Sequence, residues 1–274
     1  RNYEERTLPK LEGFYKEKKL TPSYDKVTLQ LYYQFISWCH TLDLSDNSIG
    51  TYIKCWRRMG QVALAQGKHS NLIFENEEFA ILKEDTEDIY LDEIKIKALS
   101  DLKLVSGYEV ARDWFVLDCY LGLRVSDLRR VSMADFAGEY FQFVNQKTGA
   151  QVAIKINRIV KAIIKKWKGL PPPISDVKLN EYIKEVAKSA KLKKKFIYKI
   201  TKGGTLVTET LEEWQMVSSH TCRRSFITNL LKMGFAHAHV MKLAGIKRYE
   251  TLMKYFKQSA EDVAEETGKN DFFQ

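Results

Sequence analysis

Between Glu75 and Asp88 the chain carries seven acidic residues against a single basic one, Lys83, in a polar stretch. Like charges at that density repel one another and have little to gain from burial, so the stretch separates two folding bodies. The charge differs on its two sides. Residues 1–88 hold 12 basic and 14 acidic side chains, which leaves 32 basic and 21 acidic to residues 89–274. The reading is a first domain over 1–84, an acidic linker over 85–90 and a second domain over 91–274 with a C-terminal tail.

Both bodies have the material for a core: hydrophobic residues are 45% of the 274 and aromatics 12%, which argues against disorder. The formal net charge of +9 favours a polyanionic partner, nucleic acid first and an acidic membrane second. No apolar run approaches the roughly 18 residues of a membrane span, so no membrane partner is expected and the location is read as cytoplasmic. The chain begins with Arg1 and shows no charged-then-apolar leader, and is read as a piece of a longer protein. Cys39, Cys55, Cys119 and Cys222 lie far apart in apolar or helical stretches, as reduced buried thiols do. Among the five histidines only His237 and His239 are close, and an i, i+2 pair on a helix faces two ways. No metal site and no cofactor are read.

The first body reads as helices. Val27, Leu31, Phe35 and Trp38 form a stripe at helical spacing, and a second helix runs from Ser48 to about Gly67 with Ile53, Trp56 and Ala63 on its apolar side. Lys54, Arg57 and Arg58 share one face of it, either an ordinary solvated face or a phosphate-contacting one. In the second body a helix through Val110, Trp114, Leu117 and Leu121 stops at Gly122. The β-rich runs Tyr140–Val144 and Gln151–Ile156 flank the turn residues Lys147-Thr148-Gly149. Lysines crowd residues 191–202, including Lys193, Lys194 and Lys195, as on a solvated surface or a DNA-facing loop. Helices follow over Ser219–Met233 with a Ser cap and a Gly234 stop, over about Ala236–Ala244, and around Tyr249–Lys257.

Four places hold polar residues that structure alone does not ask for. Arg124 stands between two apolar helices in Gly122-Leu123-Arg124-Val125-Ser126-Asp127-Leu128. A guanidinium beside a helix N-terminus is mildly unfavourable for stability and favourable for holding a phosphate, with Asp127 placed to orient it or cap the helix. His220 and Arg223, at i and i+3, share a helix face that continues as Ile227 and Leu230, and so stand at the mouth of a buried stripe. Lys147 sits at a hairpin tip and Tyr255 at the rim of a short terminal helix; turn lysines and packing tyrosines are common, so neither is specific alone.

In order and spacing together they resemble the tyrosine recombinases, or λ-type integrases. Arginine in Gly-Leu-Arg-Val-Ser-Asp-Leu is followed 23 residues on by the hairpin lysine, then by His-x-x-Arg, then by a tyrosine 32 residues later. The match covers about Leu8 to Phe256, and Ser218-Ser219-His220-Thr221-Cys222-Arg223-Arg224-Ser225-Phe226 is similar to integrases of mobile elements in the Bacteroides group. The resemblance implies a mainly α fold with a small β component (α+β): a helical core-binding domain of SAM-like type and a mixed catalytic domain, closing as a clamp around DNA. It implies Arg124 and Arg223 as phosphate clamps, Lys147 as acid to the 5′-oxygen, His220 as general base and Tyr255 as nucleophile. It also implies a tetramer on double-stranded DNA attachment sites near the bacterial nucleoid, with DNA-bending accessory proteins as further partners. By the same resemblance a tail carrying Ala260, Val263, Ala264, Phe272 and Phe273 docks on a neighbouring subunit.

One position departs. The family has His or Trp directly after the glycine that lies ten residues before the nucleophile; here that glycine is Gly245 and Ile246 follows, which cannot donate to a phosphate. Two other readings stay open here: a type IB topoisomerase, which shares the residue set, and a DNA-binding module that has lost catalysis.

Overall fold

The computed structural model describes residues 3–256 and Gly268. The chain clusters into two compact units. One comprises residues up to Glu87 together with Ile197–Thr210, and the other Asp88–Phe196 with residues from Leu211 onward. Tail residues 260, 263, 264, 272 and 273 lie outside the described residues.

In the first unit a π-helical turn at Tyr3–Thr7 leads into α1 (Leu8–Glu17), followed by α2 (Leu29–Thr41), α3 (Asp46–Ala65) and a 3₁₀ turn at Leu72–Glu75. Caps set the helix starts. Thr28 accepts the Leu31 amide at 3.1 Å to open α2, and Ser45 accepts the Ser48 amide to open α3, two residues before the expected Ser48. The core is aromatic: Phe14, Phe35, Trp56, Phe74 and Phe79 are buried, and their rings meet mostly edge-on with centroids 5.3–5.5 Å apart. Such pairs add about 0.5–1.5 kcal/mol each beyond their burial. Gly60 is required by this packing, because a Cβ there would overlap the Phe74 ring. The Thr201 amide donates to Glu84 Oε2 at 2.6 Å within the same unit.

The second unit opens with Ile89 and Leu91 already in its core, then α4 (Glu93–Ser100) and α5 (Ser106–Leu121). A four-residue helix α6 (Val125–Leu128) precedes a three-stranded antiparallel sheet, β1 (Phe136–Ala137), β2 (Tyr140–Val144) and β3 (Gln151–Lys155). Its register places Phe141 opposite Ile154 and Phe143 opposite Val152, all four buried, so the period-2 pattern resolves into one core face. Next come α7 (Arg158–Trp167) and α8 (Asp176–Ser189). The chain then forms the paired strands β4 (Lys195–Lys202) and β5 (Thr205–Glu212), whose residues Ile197–Thr210 belong to the first unit. The second unit resumes with α9 (Glu213–Met216), α10 (Ser219–Lys232), α11 (His237–Ala244) and α12 (Tyr249–Met253).

Two elements differ from the sequence expectation. Residues 195–202, expected as part of a lysine-dense solvated surface or DNA-facing loop, form a strand: the run Phe196-Ile197-Tyr198 breaks the polar/apolar alternation and no residue of it is fully buried, so the period-2 signal is weak. The terminal helix ends at Met253, not Lys257, so Tyr255 lies in the turn after it. Among the described residues no helix is long and apolar enough to cross a membrane.

The middle of the second unit is a stack of α5 on α10, with α10 also holding the incoming chain: Ser225 Oγ accepts the Leu91 amide at 2.8 Å and Asn229 donates to the Leu91 carbonyl at 3.0 Å. This stack brings the end of α5 beside the first turns of α10.

Candidate active site

Arg223 is the anchor. It lies on the first turns of α10, 1% exposed, a position an arginine occupies only when its donors are satisfied. Nη1 donates to the Gly122 carbonyl at 2.7 Å and Nη2 to the Ala244 carbonyl at 2.8 Å, so it ties the ends of α5 and α11 together. Its Nε donates to the Tyr255 hydroxyl at 3.3 Å. The Arg223 and Arg224 guanidinium carbons each lie 5.6 Å from the Tyr255 ring centroid. Thr228 Oγ1 donates to the Tyr255 carbonyl at 2.9 Å, which pins the turn after α12 to α10. Arg224 Nη2 is paired with Asp88 at 2.5 Å.

Arg124 is the N-terminal flanking residue of α6 and is half-buried. Its Nη1 is buried without a hydrogen-bond partner among the described residues, a donor left free beside Arg223 and Tyr255. Burial first, and then the charge of Arg223, push its guanidinium below the ordinary value, with Tyr255 and Asp127 opposing. Two like charges held close at the edge of a core are costly alone and favourable once an anion sits between them.

Asp127 neither caps α6 nor hydrogen-bonds Arg124. Fully buried, it accepts the Gln146 amide at 2.9 Å and Arg130 at 3.2 Å, and so fixes the base of the hairpin turn instead. Lys147 stands exposed on that turn with no hydrogen bond or ion pair among the described residues. The turn is closed by the Asn145 amide donating to Ala150 at 2.9 Å and the Gly149 amide donating to Asn145 at 2.8 Å. His220 is exposed on the first turn of α10, while Arg223 and Ile227 below it are buried. Ser218, not Ser219, caps that helix, its backbone amide donating to Thr221 Oγ1 at 3.0 Å. Ile246 is in the core, its amide donating to the Met241 carbonyl at 2.8 Å just after Gly245 ends α11 in the left-handed conformation.

The structure thus joins Arg223 directly to Tyr255, brings Arg124 within electrostatic reach of both, and leaves Lys147 and His220 on the surface. In the first unit Lys54 and Arg58 are exposed, but Arg57 turns inward: its Nε donates to the Phe74 carbonyl at 2.8 Å and Nη1 to that of Phe79 at 3.4 Å. Lys193, Lys194 and Lys195 are exposed around the start of β4, with Lys194 Nζ 5.2 Å from the Phe196 ring centroid. Sequence reasoning passed over Asp118, buried at the end of α5. Its signal was a carboxylate inside the apolar run Trp114–Leu121, where nothing on the helix itself pairs with it.

A tyrosine hydroxyl is thus held by one buried arginine, with a second arginine nearby that has an unused donor. The model of the phage integrase family matches residues 92–262, and the chain belongs to that family of tyrosine-type site-specific DNA recombinases. The fold is similar to that of λ integrase in a dimer bound to a COC′ core site, with a TM-score of 0.66 at 14% identity, covering 93% of this chain and 88% of that one. The Tn1549 transposon integrase with circular intermediate DNA gives 0.66 at 18% identity, covering 95% and 91%. The XerH recombinase on a palindromic difH substrate gives 0.66 at 12%, covering 96% and 78%. No curated protein matches the sequence.

Proposed function

We propose that the chain breaks and rejoins double-stranded DNA through Tyr255, for the integration or excision of a mobile element. The observation that carries this reading is the 3.3 Å contact from Arg223 Nε to the Tyr255 hydroxyl, which joins residues 32 apart near Arg124, whose Nη1 is buried without a hydrogen bond among the described residues. In the proposed reaction the Tyr255 oxygen attacks phosphorus in line, forming a 3′-phosphotyrosyl ester as the bond to the 5′-oxygen breaks. Arg124 and Arg223 hold the charge that develops on the non-bridging oxygens. His220 takes the tyrosine proton and Lys147 gives one to the departing 5′-oxygen, which otherwise leaves as a poor alkoxide. The ester conserves the bond energy, so a different 5′-hydroxyl reverses the step and joins a new strand.

Exposure of Lys147 and His220 fits this assignment, since groups that hand protons to and from DNA must be reached by it. Lys54 and Arg58 in the first unit, and Lys193, Lys194 and Lys195 in the second, are the proposed phosphate contacts. Arg57 leaves that set because its donors serve backbone carbonyls. Two duplexes exchanged strand by strand call for four copies on DNA, assisted by DNA-bending partners.

The test is covalent trapping on nicked duplexes carrying candidate attachment sites, followed by denaturation. A protein–DNA adduct that Tyr255→Phe abolishes is the expected result. DNA binding with no adduct on any site would favour a binding module, and relaxation of a supercoiled plasmid lacking target sites would favour a topoisomerase.

A further inference from the structure

The Gly122–Leu123 peptide is gripped at both ends. Its carbonyl oxygen accepts from Arg223 Nη1 at 2.7 Å, and its N–H, belonging to Leu123, donates to Asp118 Oδ1 at 2.8 Å. Arg124 is the next residue. The orientation of this one amide plane therefore depends on Asp118 on one side and Arg223 on the other, and it sets where the Arg124 backbone begins. The peptide has little freedom to escape. Gly122 is left-handed at φ +61°, and the Phe226 ring occupies the space a Cβ would need.

Asp118 is 1% exposed. The charged or titratable groups that act on it come from two neighbouring elements: Arg223 and the Cys222 thiol on α10, and Asp127 on α6. Arg223 is the one cation among them, and neither its carbonyl contacts nor its tyrosine contact neutralises its charge. The second carboxylate oxygen is buried with no hydrogen bond among the described residues, and Cys222 directs its own thiol to the Phe115 carbonyl at 3.4 Å. An acid placed so is a poor structural device, since an apolar residue would fill the space without the cost of desolvation.

We propose that Asp118 is the positioning residue of the arginine pair: its carboxylate holds the Gly122–Leu123 peptide in the orientation that seats Arg124, and supplies negative charge to Arg223, while Asp127 serves Arg124, so that two guanidiniums stand together before DNA arrives. The inference rests on the strand-transfer reading of the site. Because burial pushes the Asp118 carboxyl up to about 7, against the pull of the Leu123 amide and Arg223, the positioned state is the one present above neutrality. As pH falls through 7 the carboxyl takes a proton, the charge facing Arg223 disappears, and the pair loosens.

Asp118→Asn keeps the shape and an oxygen for the Leu123 amide while removing the charge. The measurement is the single-turnover rate of adduct formation by wild-type and Asp118→Asn protein from pH 5.5 to 9, taken as their ratio so that every other titrating group cancels. The ratio should rise by about tenfold per pH unit below 7 and level off above 8 at up to about 10²-fold, the loss expected when reacting groups are misplaced by about an ångström. DNA affinity should be unchanged between the two. A ratio that stays flat with pH overturns the proposal, as does equal activity at pH 8.5. In parallel, the Asp118 carboxyl carbon is followed by NMR in wild-type protein, assigned by its absence from the variant. Titration near 7 supports the proposal, and titration in the ordinary aspartate range overturns it. Absence of adduct from wild type at every pH would instead sink the reading of the site itself, and the carboxyl titration would still decide whether Asp118 carries the stated charge switch.

Discussion

The two units of this chain bury different things. The core of the first is a set of aromatic rings, and its buried polar side chains are Thr7 and His69 among the described residues. The second buries Arg112, Asp113, Asp118, Asp127, Glu213 and Arg223. Even the inward arginines differ. Arg57 aims its Nε and Nη1 at two carbonyls that close the first unit's own loops, whereas Arg223 gives two nitrogens to carbonyls and keeps the third on Tyr255. Buried charge costs stability unless every partner is in place. A unit that only has to present a surface has no reason to carry that cost. A unit that must hold phosphate charge at the moment of reaction does, because donors already fixed in a dry site need no reorganisation.

This contrast can be broken most sharply at the arginines themselves. Arg223→Met should lower adduct formation by about 10²–10³-fold while DNA binding persists. Arg57→Met should leave the rate of adduct formation by folded protein within about threefold and act on the thermal midpoint of the first unit, since it removes hydrogen bonds to carbonyls there. Equal effects of the two on cleavage would erase the distinction drawn between them. Next in size, Phe35→Ala should cost the first unit about 3–5 kcal/mol in a denaturant titration, the usual loss for emptying a packed aromatic site. The second unit's own transition should stay put, and if the two moved together the aromatic core would not be a separate folding body. The smallest effect belongs to the surface. Lys54→Ala and Arg58→Ala should each reduce the slope of log affinity against log salt by about one, with little change in stability. An unchanged slope would remove these residues from the DNA-contacting set.

Much of the architecture was legible in the chain because it is local. Gly122 and Gly245 end helices in a conformation few other residues accept, and alternating Phe141, Phe143, Val152 and Ile154 mark a half-buried hairpin. The start of α3 is read at Ser48, because it offers the same capping hydroxyl as Ser45 three residues earlier. The β4–β5 pair was not legible, since Lys-Phe-Ile-Tyr-Lys-Ile-Thr-Lys and Thr-Leu-Val-Thr-Glu-Thr-Leu-Glu keep no strict alternation and bury no face fully. Arg57 was misplaced for a related reason. Helical spacing puts it beside Lys54 and Arg58, and only the carbonyls of Phe74 and Phe79 draw it inward.

By itself, the sequence determined which side chains have the chemistry for strand transfer and in what order they come along the chain: Arg124, Lys147, His220, Arg223 and Tyr255. Tertiary structure alone decided which of them meet. Whether a guanidinium is buried or solvated, and which carbonyl or carboxylate satisfies it, depends on atoms a hundred residues away, as with Arg223 on Gly122. Asp118 shows the same limit. Its partner, the Leu123 amide, is five residues on and local, but only packing α5 against α10 brings Arg223 to the other side of that peptide.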